Sequence, residues 1–154
     1  MKKVLLTALI AFSAEQSFAI CNSKKDMKGT WDYYQAVAFA SSKSNISNCE
    51  AAFMPDTKVA GSFTGWCYIS PGKGPKIVNM QGLYTITDPE TCAVEVKMDM
   101  GQMGISTFVF HVNSSKNGWA GMWTNKGGDY GVTNGVKISK STETPITPTE
   151  FPLP

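Results

Sequence analysis

A glycine followed one or two places later by an aromatic recurs along this chain: Gly29-Thr30-Trp31, Gly65-Trp66-Cys67-Tyr68, Gly82-Leu83-Tyr84 and Gly121-Met122-Trp123. Each copy sits in a stretch of strand-like composition bounded by Gly, Asn, Lys or Pro turn signals. Glycine inside a strand marks a bulge, a sharp bend or a place where a bulky neighbour leans on the backbone. Strands that bend at repeated positions are what a sheet needs to close on itself. The pattern therefore predicts a small antiparallel barrel, a shape suited to holding a ligand.

The strands can be placed in order. Residues 28–40 carry Trp31, Tyr33, Val37 and Phe39 between more polar neighbours, and residues 41–49 read as a polar loop. Further strands are expected over 60–69, 76–87, 92–100, 105–112, 118–124 and 129–140, the last with a possible break at Asn134-Gly135. The cleanest alternation is at 92–100, where Cys92, Val94, Val96, Met98 and Met100 form an apolar face opposite Ala93, Glu95, Lys97 and Asp99. The fold class predicted is all-β, a meander of about seven or eight strands without a helix, closing into an up-and-down barrel.

The two ends differ from this domain. Lys2 and Lys3, the apolar run 4–12 and Ser17-Phe18-Ala19 have the order of a secretory signal over residues 1–19. The run is too short to span a bilayer as a helix, and Ile20 stands where a lipoprotein would need a small residue before Cys21. The barrel domain is expected over 20–140, followed by a Thr/Pro-rich flexible tail over 141–154. The Sec-type signal and the lysine-only basic set point to a bacterial protein that is secreted or periplasmic.

Cysteine and charge narrow the chemistry. Cys21, Cys49, Cys67 and Cys92 in an exported chain read as two disulfides, with all three pairings open. No CxxC or HxxxH spacing suggests a thiol metal site. The formal charge is +2 with two lysines in the signal, so the exported chain is near neutral and its lysines are scattered singly. That argues against a nucleic-acid or anionic-membrane surface. Arginine is absent, which leaves lysine, backbone amides or hydroxyls to meet any anionic ligand.

The fragment Met27-Lys28-Gly29-Thr30-Trp31 resembles the Gly-x-Trp motif that opens the first strand of calycins, the superfamily of lipocalins, fatty-acid-binding proteins and avidins. The resemblance implies structural roles for Gly29 and Trp31, the indole packing across the closed end of a barrel. Lipocalins commonly set a last-strand arginine over that tryptophan, and Lys137 or Lys140 would stand in for it here. Ser62-Phe63-Thr64-Gly65-Trp66, Met80-Gln81-Gly82-Leu83-Tyr84 and Trp119-Ala120-Gly121-Met122-Trp123 are more similar to the avidin subgroup. Asp32-Tyr33-Tyr34-Gln35 does not match the avidins' ureido-binding cluster, so biotin binding is not implied.

No catalytic residues are expected. His111 is a lone histidine on a strand, and Glu95 and Asp99 fall on the outer face, so neither a triad nor a facing carboxylate pair can be assembled. Tyr33, Tyr84, Phe108, Trp119 and Trp123 are the expected ligand-binding residues, with Gly121 leaving a slot between the two tryptophans. The function expected is non-enzymatic binding of a small apolar or aromatic molecule, without a cofactor. One alternative is a protein-binding module, an inhibitor or host-interaction factor, acting through loops 41–49 and 71–75. The other is a periplasmic copper binder using Met98, Met100, Met103 and His111, since thioether sulfur suits Cu(I); the simpler role for those methionines is core filling.

Overall fold

Period-two alternation sets almost every strand of this chain, and it sets them in pairs that leave one face dry. The computed structural model describes residues 20–39, 46–69 and 76–147. The segment 1–19, the stretches 40–45 and 70–75 and residues 148–154 lie outside the described residues, so the expected export signal and the tips of two expected loops are not placed. Eight strands follow one another: β1 Gly29–Phe39, β2 Ile46–Pro55, β3 Ala60–Ile69, β4 Lys76–Asp88, β5 Ala93–Asp99, β6 Ile105–Val112, β7 Gly118–Asn125 and β8 Tyr130–Ser139. Each pairs antiparallel with the next, and β8 returns to β1 with Tyr33 opposite Gly135, closing the barrel.

Two boundaries differ from expectation. Residues 46–49, expected within a loop, begin β2, where Cys49 faces Cys67 of β3. Its Ser47-Asn48-Cys49-Glu50-Ala51-Ala52 run lacks the β-branched and aromatic residues that announce a strand. Pairing on both sides, Tyr33 to Cys49 and Cys49 to Cys67, holds it extended. The eighth strand is thus β2, and β8 runs unbroken through Asn134-Gly135. On β5 the apolar face is buried as the alternation requires, with Lys97 and Asp99 exposed.

One end is sealed. A single helical turn, Ser23–Met27, starts at Asn22, whose side chain accepts from the Lys24 N–H. The turn places Met27, fully buried, across the barrel mouth, where its carbonyl accepts from Trp31 Nε1 at 2.9 Å. Trp31 is itself fully buried. The disulfide Cys21–Cys92 ties this cap to the β4–β5 turn, helped by Cys21 N–H to the Pro89 carbonyl at 2.8 Å. The second bridge, Cys49–Cys67, joins two directly opposed strand positions whose side chains point inward.

Residues 141–147, the first half of the expected tail, lie along the outer wall. Thr144 and Thr64 hydroxyls meet at 3.0 Å, and the Thr147 hydroxyl donates to Asn79 Oδ1 at 3.3 Å. Among the described residues no helix is long and apolar enough to cross a membrane.

Candidate functional site

The barrel interior is the one place where side chains from every strand converge, and its glycines decide how. Tyr84 lies over Gly61, Phe63 over Gly82, Phe110 over Gly121, Trp123 over Gly131 and Trp119 over Gly135, each aromatic opposite its glycine on the adjacent strand. A Cβ at any of the five would come within 2.7 Å of the facing side chain. At Gly82 and Gly121 of the sequence pattern, and at Gly61, Gly131 and Gly135, the missing side chain on one strand admits a large one from the next, whereas Gly29 and Gly65 face neighbouring backbone.

Trp119 is the hub of this packing. Its ring lies 4.5 Å from both Phe110, stacked, and Trp31, tilted, with Tyr33 at 5.6 Å and Phe53 at 5.8 Å. Around it remains a cavity of about 10 Å³, lined by Tyr33, Phe53, Phe63, Val96, Met98, Phe108, Phe110, Trp119 and Thr133. That is room for one water-sized group. Of the five expected ligand residues, Tyr33, Phe108 and Trp119 border the cavity. Tyr84 does not; its hydroxyl is tied to Ser23 Oγ at 2.6 Å, and burial pushes its pKa up to about 12. Trp123 stands beyond Phe108, ring centroids 6.4 Å apart.

Polar atoms distinguish this core from inert filling. Trp119 Nε1, Trp123 Nε1 and Thr133 Oγ1 are buried and have no hydrogen-bond partner among the described residues. Thr133 lies opposite Gly121, midway between the two tryptophans along β7, and of the three residues Trp119 and Thr133 border the cavity. A fourth unpartnered indole N–H, Trp66 Nε1, is on the outer side of β3. Each buried polar group left unpaired costs about 1–3 kcal/mol, a cost that an acceptor placed among them would recover. The sequence reading missed Thr133, although Gly131, Thr133 and Gly135 share one face of β8. It missed Phe53 because it missed β2.

Sulfur surrounds the remaining hydroxyl. Tyr33 donates to Met80 Sδ at 2.8 Å, with Met98 Sδ at 3.3 Å and Cys67 Sγ at 3.9 Å. Burial without a charged partner pushes this phenol far above its ordinary range. The methionine–histidine grouping is not brought together. Met98 and Met100 point inward at one end of β5, whereas His111 is exposed and opposite Ala93 at the other end. The Met103 side chain lies outside the described residues. Glu95 and Asp99 sit on the outer wall away from the cavity.

Lys137 occupies the position over Trp31, its Nζ 4.8 Å from the ring centroid while donating to the Asp26 carbonyl. Lys140, the other expected candidate, is exposed.

Comparison with solved structures places this architecture among designed barrels. A redesigned β-barrel, mFAP1, bound to DFHBI, is similar with a TM-score of 0.61 at 13% identity, over 76% of this chain and 99% of that one. A de novo designed fluorescence-activating β-barrel gives 0.61 at 13% identity, over 76% and 98%. A third, mFAP0 bound to DFHBI, gives 0.56 at 16% identity, over 74% and 100%. No protein-family model and no curated protein matches the chain. What these likenesses show is the fold, a small closed β-barrel of eight strands.

Proposed function

We propose that this chain is an exported, calycin-like, non-enzymatic binding protein that holds a small aromatic molecule with a hydrogen-bond acceptor inside its barrel. The observation that carries the reading is that Trp119 Nε1 and Thr133 Oγ1, on two residues that border the cavity, are buried without a hydrogen-bond partner among the described residues, in an otherwise aromatic lining. An aromatic ligand would stack in place of part of the Phe108 and Phe110 packing and turn its acceptor toward Thr133. The present cavity admits one water-sized group. Binding therefore requires repacking, for which the flexible thioethers of Met80 and Met98 are suited. Barrels of the same architecture that bind DFHBI lend support.

The test is titration of the purified protein with DFHBI and with anilinonaphthalene sulfonate, followed by quenching of tryptophan fluorescence. Saturable quenching, weakened about fivefold in Thr133→Val, is expected from loss of one hydrogen bond. Unsaturable quenching by both dyes would remove the reading.

A second reading, binding of a protein partner, is favoured by one observation on the outer wall. Val109, Met122 and Val132 are directly opposed neighbours on β6, β7 and β8, and all three are exposed. Such an aliphatic row fits a protein surface better than solvent.

A further inference from the structure

Lysines that are scattered along the sequence are gathered by the fold at the sealed end. Lys25 comes from the capping turn, Lys28 from its exit, Lys116 from the β6–β7 turn, and Lys137 and Lys140 from the end of β8 and just beyond. With Ser114, Ser115 and Asn117 they line a surface cleft of about 700 Å³. Five of the chain's fourteen basic residues thus share one concavity. The cleft lies outside the barrel, apart from the interior cavity, and its lining residues are different.

Negative charge in this concavity is outnumbered five to one. Its one acidic lining residue is Asp26, which is buried and whose Oδ2 already accepts the Asn22 N–H at 2.7 Å. Among the described residues the ion pair is Lys97 with Glu95, elsewhere on the surface, and none of the five cleft lysines is in one. Lys137 is also held in place, its ammonium fixed between the Trp31 ring and the Asp26 carbonyl. Burial lowers its pKa, the Asp26 charge opposes this, and the neighbouring Lys140 charge adds a smaller lowering. Like charges crowded over a low-dielectric indole focus a positive potential into the cleft.

We propose that this cleft binds a compact, multiply charged phosphate or sulfate ester, such as a phosphorylated or sulfated polyol or saccharide. Lysine ammonium groups bind phosphate and sulfate oxygens as point charges, without the fork geometry of arginine, which this chain lacks, and the multiple charges of such esters match several lysines at once. Five cations spread around a cleft of this size match several anionic groups on one small molecule better than a single phosphate. The serine hydroxyls and the Asn117 amide are placed to donate to the ester and hydroxyl oxygens of such a ligand.

The experiment is calorimetric titration of the purified protein with inositol hexakisphosphate and with sucrose octasulfate, at low and high salt. One-to-one binding that weakens with salt is expected. The triple variant Lys28→Gln, Lys116→Gln, Lys140→Gln should bind about tenfold or more weakly. Lys76→Gln, Lys97→Gln, Lys126→Gln, which removes equal charge from the exposed wall, should bind as the parent does. Equal loss in both triples, or no saturable binding at low salt, overturns the proposal. Should the first triple fail to fold, the parent protein decides alone. The Trp31 indole N–H resonance must shift on titration while that of Trp123 stays, and the reverse overturns the proposal. Co-sedimentation with phosphoinositide-containing vesicles separates the sources: soluble binding without sedimentation assigns a free ester, and both together assign a lipid headgroup. Sedimentation without binding of either soluble ester overturns the proposal.

Discussion

Gly135 of β8 lies directly beneath the indole of Trp119, so close that a Cβ there would stand 2.6 Å from Trp119 Cε2 and 2.9 Å from Tyr33 Cβ. Both neighbours are buried and cannot swing aside. Gly135→Ala is expected to cost about 1–3 kcal/mol by overpacking. Gly127→Ala, in an exposed turn where the nearest atom is a side-chain oxygen, should stay within about 0.5 kcal/mol of the parent. Denaturant midpoints of the two variants check the contrast.

Thr133→Val should behave unlike an ordinary polar deletion. The Thr133 hydroxyl is buried and unpartnered, and valine keeps its shape. The free protein is therefore expected to gain up to about 1 kcal/mol, because the desolvated hydroxyl is removed without breaking a bond. A measured loss of stability would show that the hydroxyl has a partner in solution. The same substitution weakens dye binding under the function proposed above, so stability and affinity move in opposite directions.

Asp32 and Glu50 are opposed across β1 and β2, and burial raises both pKa values, Glu50 further through the Asp32 charge. A carboxyl whose folded pKa lies above its unfolded value binds its proton more tightly in the native state. Its ionised form therefore lowers stability above the folded pKa, and stability is recovered as pH falls through that value. Glu50→Gln is expected to raise stability at neutral pH, by less than about 1 kcal/mol because both side chains remain partly solvated, and so to raise Tm. The gain should vanish near the unfolded carboxyl range, at about pH 4. Thermal melts of parent and variant across that range decide it.

Removing the cap disulfide should loosen the sealed end before the barrel wall. Cys21–Cys92 closes 71 residues of chain, and its double replacement by alanine is expected to cost about 4 kcal/mol on the chain-entropy account. The helical turn it anchors supplies the acceptor for Trp31 Nε1. Hydrogen exchange at that indole should accelerate by more than at the β5 and β6 amides. Uniform acceleration would mean that cap and wall open as one unit.

The architecture was legible because this chain writes its strands in alternating residues and seats its aromatics on glycines. The run 92–100 around β5 shows the first device in five inward positions, and Gly121 with Phe110 shows the second. What stayed hidden depends on neighbours distant in sequence. β2 has little strand propensity of its own and is held by β1 and β3. Disulfide pairing required knowing that Cys49 opposes Cys67. Thr133 looked like one polar residue among many until Gly121 was found opposite it. The lysines looked dispersed because residues 25, 28, 116, 137 and 140 meet only when the last strand ends beside the first.

The return of β8 to β1 also limits how this protein can meet others. Among the described residues the strands are paired along most of both flanks, and residues 76–80 of β4, paired to β3 alone, leave only a short stretch of ladder for an incoming peptide to extend. Templated growth into fibrils finds as short a starting edge there. Recognition from outside falls mainly to side chains, as with the aliphatic row on β6 to β8 or the ammonium groups beneath the cap.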